Sequence, residues 1–122
     1  MKNTTKGITH FFKAFRYSID GFKWIWQKEV AFRHDVVFSI ITIAVVAFLT
    51  DYNLTRIAIT VSATFILLIT ELLNSALENV VDIVSPEYNI LAKAAKDMGS
   101  AAVFIAVVLV ILTSMCSIFI PL

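Results

Sequence analysis

Apolar and polar residues follow two different patterns along this 122-residue chain. Between Ile8 and Gln27, apolar residues recur at steps of three and four, and basic residues occupy the opposite side of the helix that this spacing predicts. An aromatic face opposite a basic face is typical of a helix that lies in the membrane interface. We therefore predict an amphipathic surface helix over residues 8–28. Its apolar positions are Ile8, Phe11, Phe12, Phe15, Ile19, Phe22, Ile25 and Trp26.

Three longer segments are apolar over most of their length, and each reaches the roughly 20 residues that a bilayer requires. They predict transmembrane helices over residues 30–49, 56–84 and 98–120. A polar turn over 51–55 separates the first two, and a polar connector over 85–97, beginning at Ser85-Pro86, separates the last two. The chain, 1–122, is therefore expected to form a single all-α integral membrane domain.

Composition supports this class of protein. Hydrophobic residues make up 59% of the chain, the mean hydropathy is +0.86, and there are only 3 Gly and 2 Pro. A soluble domain would carry more charge and more turn-forming residues. The net charge of +1 indicates no general affinity for nucleic acid. We expect no cleavable signal peptide, and the single cysteine, Cys116, excludes an intrachain disulfide.

Positive charge is concentrated in two places. Seven of the ten Lys and Arg residues precede the almost wholly apolar run that begins near Val36, and the connector contains Lys93 and Lys96, whereas the turn at 51–55 is followed only by Arg56. Because Lys and Arg accumulate in cytoplasmic loops, we expect the N-terminus and the connector in the cytoplasm. The C-terminus would then lie outside, and the protein would be a multi-pass protein of the bacterial inner (cytoplasmic) membrane.

A polar stripe runs along the second predicted membrane helix. At about 100° per residue, Asn74, Glu78 and Asp82 fall within roughly 60° of Glu71, so all four share one face. Ionisable groups at membrane depth are costly and usually have a function. With a rise of about 1.5 Å per residue, Glu71 lies inside the hydrocarbon layer and Glu78 at its cytoplasmic boundary. The stripe therefore connects the membrane interior with the cytosol.

These residue types favour phosphoryl transfer but do not establish it. Two carboxylates near a lysine suit Mg²⁺ and a nucleotide polyphosphate, and a buried carboxylate such as Glu71 suits a general base for a lipid hydroxyl. Lys96 is placed to meet a phosphate at the start of the third predicted span. No P-loop motif is present. From the residues alone, three functions remain open: a membrane kinase, a proton or ion conduit, and a structural subunit whose polar stripe holds helices together.

Four sequence blocks resemble the prokaryotic diacylglycerol kinase family over nearly the whole chain. They are Ala14-Phe-Arg-Tyr-Ser18, Lys28-Glu-Val-Ala-Phe-Arg33, Glu71-Leu-Leu-Asn-Ser-Ala-Leu-Glu-Asn-Val-Val-Asp82 and Ala95-Lys-Asp-Met-Gly-Ser-Ala-Ala102. The resemblance implies an integral membrane enzyme that transfers the γ-phosphoryl group of ATP to a lipid alcohol. It also implies a homotrimer, surrounded by membrane lipids, whose active sites are shared between neighbouring subunits.

The resemblance also implies roles for particular residues. Glu71 would be the catalytic base facing the lipid substrate, and Asn74 would support it. Glu29 and Glu78 would hold the Mg²⁺ bound to ATP. The lipid side would include Ala14, Ser18 and Ser100. The nucleotide side would be lined by His10, Tyr17, Glu29, Glu78, Glu87, Tyr88, Asn89, Lys96 and Asp97.

Some positions depart from the family pattern. Gram-negative members usually have Arg where this chain has His10, and His where it has Asn89. Ser85-Pro-Glu-Tyr88 resembles the related undecaprenol kinases, whereas Met98-Gly-Ser100 is closer to diacylglycerol kinase. The expected reaction is phosphorylation of diacylglycerol to phosphatidic acid, with undecaprenol as the alternative acceptor. A small proton or ion conduit is the alternative from a different functional class.

Overall fold

A computed structural model describes the backbone of residues 2–121 and the side chains of residues 6–121. This part of the chain is all-helical and contains four helices: α1 (Lys2–Lys28), α2 (Val30–Leu49), α3 (Leu54–Val84) and α4 (Ile90–Phe119). The predicted all-α class, with one amphipathic helix followed by three long apolar helices, is confirmed. The chain divides into two compact units, which meet between Val30 and Ala31.

The N-terminal unit is essentially helix α1. Its aromatic residues, including Phe11, Phe15 and Phe22, are exposed on the helix surface. A helix with unburied aromatic groups on one face and Lys and Arg on the other is suited to a lipid–water interface. The helix begins at Lys2, several residues before the predicted start at Ile8.

The second unit contains α2, α3 and α4, and its core lies between α3 and α4. Ala63 and Leu67 of α3 are buried against Ala106 and Val110 of α4, with Phe38 of α2 packed against the same cluster. The spacing of four residues in each pair places both members on one side of their helix. Alanine on both helices allows the close backbone approach that membrane helices use for packing.

A tight turn joins α2 to α3 at residues 50–53. Asp51 and Tyr52 have positive φ angles of 51° and 58°, and the Tyr52 N–H donates to the Ala47 carbonyl at 2.8 Å. The left-handed residues stop α2 in the manner of a Schellman end. Asn53 then caps α3, since its Oδ1 accepts from the Arg56 N–H at 3.1 Å. Helix α3 consequently starts at Leu54 rather than at the predicted residue 56.

The connector between α3 and α4 is shorter than predicted. Helix α4 begins at Ile90, so residues 90–97, which we assigned to the connector, are its first two turns. The reason is local: the side chain of Asn89 accepts from the N–H groups of Leu91 and Ala92 at 2.8 and 3.2 Å. Such an N-cap satisfies amide groups that the start of a helix leaves without partners.

Helices α2, α3 and α4 are each long and apolar enough to cross a membrane. Large apolar side chains point outward along them, such as Phe48, Phe65 and Phe104, each at least 60% exposed. Water would disfavour so much exposed apolar surface on three consecutive helices, whereas lipid would solvate it. The three-span prediction agrees with this arrangement.

Candidate active site

Glu71 is the most deeply buried carboxylate on the polar stripe of α3. Its side chain is 5% exposed, and it continues the inward-facing series Thr60, Ala63, Thr64 and Leu67 at helical spacing. Asn74 and Glu78 are half-buried toward the connector end of the same helix. Asn74 Nδ2 donates to Glu78 Oε1 at 3.3 Å, so these two side chains lie on one side of α3 as their spacing predicts. Burial is deepest at Glu71, so the stripe runs from a buried carboxylate toward the polar end of the helix.

Gly99 of α4 lies directly against Asn74. A Cβ atom at position 99 would overlap Asn74 Oδ1 and would lie 3.1 Å from Leu77 Cδ2. Among the described residues, Oδ1 of Asn74 is a buried acceptor without a hydrogen-bond partner. Buried polar atoms of this kind are uncommon in folded proteins. The close contact with Gly99 holds the Asn74 amide in one place.

A second carboxyl group meets Glu71 from another helix. The half-buried side chain of Asp35 on α2 and the buried side chain of Glu71 on α3 lie within interaction distance. We did not assign Asp35 a role from the sequence. Asp35 lies three residues after Phe32 and four before Ser39, which are both buried, so it belongs to the inward face of α2. This spacing is the sequence feature that could have identified it.

A cavity of about 430 Å³ opens at the connector end of α3 and α4. It brings together most of the residues that the family resemblance assigned to the nucleotide, and Asp82 and Lys93 also line it. Its walls therefore carry both lysine and carboxylate groups, together with an exposed tyrosine ring. The predicted nucleotide residues on its wall are Glu87, Tyr88, Asn89, Lys96 and Asp97.

Both lysines of this cavity are in ion pairs. Lys96 Nζ is bonded to Asp82 Oδ1, and Lys93 Nζ lies 2.7 Å from Asp97 Oδ2. All four side chains are substantially exposed, and ion pairs in contact with water contribute about 1 kcal/mol or less. An incoming phosphate can therefore displace a carboxylate from Lys96 at little energetic cost.

Asn89 has a structural role that is independent of any ligand, because it caps α4. We predict that Asn89→Ala lowers the free energy of unfolding by about 1 kcal/mol, since the N–H groups of Leu91 and Ala92 lose their acceptor. Asn89→Ser should restore most of this loss. Denaturant unfolding in detergent, followed by circular dichroism, measures both, with Asn79→Ala on the exposed side of α3 as the matched control. Equal losses with Ser and Ala at position 89 would contradict the capping role.

The remaining predicted site residues are distributed over both units. His10, Ala14, Tyr17 and Ser18 are exposed on α1, where Ser18 Oγ donates to the Ala14 carbonyl at 3.1 Å. Ser100 is exposed on α4.

The predicted metal ligands also fall in different units. Glu29 is half-buried between α1 and α2, and Glu78 is half-buried on α3. Among the described residues, no three His, Cys, Asp or Glu side chains are grouped closely enough to hold a metal ion. Mg²⁺ commonly takes only one or two protein carboxylates and completes its ligands with substrate phosphates and water. The carboxylate at Glu78, with only a long hydrogen bond from Asn74, has the right chemistry for this kind of site.

Comparison with known proteins identifies the family. A sequence profile of prokaryotic diacylglycerol kinase matches residues 16–118. The chain is 40% identical to the diacylglycerol kinase of Escherichia coli K12 over 113 residues, which cover 93% of this chain and 92% of that protein. It is 42% identical to the Pseudomonas aeruginosa diacylglycerol kinase over 107 residues, covering 88% and 86%. With three helices able to span a membrane, the chain is a bacterial membrane protein that belongs to the prokaryotic diacylglycerol kinase family.

Proposed function

We propose that this protein is a lipid kinase that transfers the γ-phosphoryl group of ATP to the hydroxyl group of diacylglycerol and forms phosphatidic acid. The observation that carries the proposal is the position of Glu71, a buried carboxylate inside a membrane-spanning helix, on the same stripe that leads to the connector cavity. Family membership supports the same reaction, because the relatives named above are diacylglycerol kinases. Such a site can meet a lipid alcohol from the membrane side and a soluble nucleotide from the polar side.

Glu71 acts as the general base in this mechanism. Its carboxylate takes the proton from the lipid hydroxyl while the hydroxyl oxygen forms a bond to the γ-phosphorus. The bond from the γ-phosphorus to the bridging oxygen breaks, and its electron pair leaves with ADP. Phosphoryl transfer depends chiefly on holding the two reactants in line and on stabilising charge. Asn74 lies one turn from the base on the same stripe, and its Nδ2 donates to Glu78, so it supports the site by holding that carboxylate.

The nucleotide occupies the connector side of the site. Lys96 contacts a phosphate after exchanging its partner Asp82 for the ligand. Tyr17, Glu87, Tyr88, Asn89 and Asp97 line the nucleotide, with His10 near it. Glu29 and Glu78 hold Mg²⁺, which, when bound, neutralises phosphate charge. Ala14, Ser18 and Ser100 lie on the lipid side.

The protein works as a homotrimer in the inner membrane, with active sites shared between subunits. The six basic residues before α2, with Arg33 in its first turn, support a cytoplasmic N-terminus and connector. This orientation places the nucleotide cavity on the side where ATP is available. The C-terminus is then periplasmic, and the outward apolar residues of α2–α4 contact lipid and neighbouring subunits.

The proposal is tested by phosphoryl transfer from γ-labelled ATP in mixed micelles, with diacylglycerol and undecaprenol offered separately. Label in phosphatidic acid supports the proposal. Label only in undecaprenyl phosphate keeps the mechanism and changes the substrate. If a folded protein supplied with Mg²⁺ labels neither lipid, the kinase function is wrong, and proton or ion conductance in vesicles becomes the next measurement.

The role of Glu78 leads to a separate prediction. Glu78→Gln removes one negative charge from the metal site. The Mg²⁺ concentration for half-maximal activity should therefore rise by about tenfold or more, because even changes to groups outside the metal ligands lower metal affinity or activity by about 10- to 100-fold. Titration of Mg²⁺ at saturating lipid measures it. Asp51→Asn, the same change at the opposite end of the helices, should leave the titration unchanged. An unaltered Mg²⁺ requirement in Glu78→Gln would contradict the assignment.

A further inference from the structure

Lys93 lines the connector cavity, and nothing in the proposed mechanism uses it. It follows the cap of α4 by one turn, and its N–H donates to the Asn89 carbonyl at 3.0 Å. Its backbone therefore belongs to a regular helix that begins at the cavity wall. Lys96, also on this wall, lies three residues later and hence on nearly the same face of α4.

Two contacts between α3 and α4 show which lysine is nearer the base. Lys96 is bonded to Asp82, and Gly99 lies against Asn74. Since Asn74 is closer to the base along α3 than Asp82, helix α4 approaches the base in the direction from Lys96 to Gly99. Lys93 precedes Lys96 by about 4.5 Å of helical rise, so it lies on the side of the cavity away from the base.

The charges on the cavity wall make a second lysine important for an anionic ligand. Among the described residues of this wall, three are carboxylates (Asp82, Glu87 and Asp97) and two are lysines (Lys93 and Lys96). Carboxylates repel a polyphosphate, and lysines attract it. Lys93 therefore supplies half of the lysine charge that opposes this repulsion.

The present partner of Lys93 can be exchanged for a phosphate. Lys93 Nζ lies 2.7 Å from Asp97 Oδ2, and the two side chains are 60% and 64% exposed. An ion pair so open to water contributes little stability. The ammonium group has three N–H donors on a flexible stem, so it can turn from Asp97 to a phosphate oxygen without any movement of the helix.

We propose that Lys93 is a second phosphate-binding lysine, which contacts the phosphates that remain in ADP, whereas Lys96 lies nearer the phosphate that is transferred. This inference rests on the proposed function, because it assigns a further residue to the same nucleotide site. The reaction leaves these retained phosphates in place. Contact with them therefore stabilises the bound substrate and the transition state equally, so it lowers KM without raising kcat.

Steady-state kinetics with ATP test this role. Lys93→Met should raise KM for ATP by about tenfold, the lower end of the range for a hydrogen bond to a charged group, with kcat close to that of the wild type. Lys93→Arg keeps the charge and should keep KM within a small factor. Lys23→Met, at a lysine on α1, is the matched control and should leave KM unchanged. An unaltered KM in Lys93→Met, or a loss confined to kcat, would contradict the proposal.

Isothermal titration calorimetry of the intact protein in detergent gives a readout that does not depend on turnover. With Mg²⁺ present, Lys93→Met should weaken the binding of ADP and of a non-hydrolysable ATP analogue by the same factor. A loss confined to the ATP analogue would place Lys93 at the transferred phosphate and overturn the assignment. Unaltered binding of both ligands would refute any phosphate contact.

A double-mutant cycle separates a direct contact from simple neutralisation of Asp97. In an Asp97→Asn background, Lys93→Met should still weaken ADP binding, because the phosphate loses its partner. No further loss in this background would mean that Lys93 acts only through Asp97. An active wild type with an unaltered Lys93→Met variant would refute the inference and keep the kinase function, whereas an inactive, folded wild type would refute the kinase function itself.

Discussion

Glu71→Gln is expected to lower kcat for phosphoryl transfer by about a hundredfold or more, because general-base catalysis alone contributes about 10²- to 10⁴-fold. Gln has nearly the same size as Glu and keeps hydrogen-bonding groups for Asp35, so packing around this buried position should be preserved. The variant loses only the capacity to take a proton from the lipid hydroxyl. Steady-state kinetics with γ-labelled ATP and diacylglycerol measure the effect, and KM for ATP should change little.

A matched change on the same turn separates chemistry from folding. Thr70→Val removes a neighbouring polar group whose Oγ1 only bonds back to the Ile66 carbonyl at 2.7 Å. This control should retain activity to within a small factor. Equal losses in both variants would point to general damage to α3. Activity of Glu71→Gln close to that of the wild type would mean that another group is the base.

Gly99→Ala should have the second largest effect. The added methyl group would occupy the position of Asn74 Oδ1 and would press on Leu77. Either Asn74 turns away from Glu78 or α4 moves away from α3, and overpacking of this kind costs about 1–3 kcal/mol. We expect kcat to fall by about tenfold or more, because the amide beside the base is displaced.

A double-mutant cycle identifies the cause of the Gly99→Ala effect. In an Asn74→Ala background the added methyl group at position 99 meets only Leu77, at 3.1 Å. Gly99→Ala should then cost much less stability and activity than it does in the wild type. Gly21→Ala is the control, since a Cβ at that position meets no atom within 4 Å. Additive effects of Asn74→Ala and Gly99→Ala would contradict the contact between these two residues.

Much of the fold could be predicted because it depends on local spacing. The apolar runs predict the three spans, and the step of three and four predicts the face shared by Glu71, Asn74 and Glu78. Helix α4 starts two turns earlier than predicted, because residues 90–97 include Lys93, Lys96 and Asp97 and we took these charges as a sign of a connector. The cap at Asn89 outweighed this composition, and the helix continues through Lys93 and Lys96.

The sequence by itself determined the helical class, the membrane spans and the polar stripe, since each follows from residue type and periodicity within one helix. Only the tertiary structure decided that Asp35 meets Glu71, that Gly99 presses against Asn74 and that Lys96 pairs with Asp82. These contacts join different helices, and they depend on how each helix is rotated and shifted along its neighbour. Packing of side chains between helices sets that rotation and shift, and the periodicity of a single helix contains no information about it.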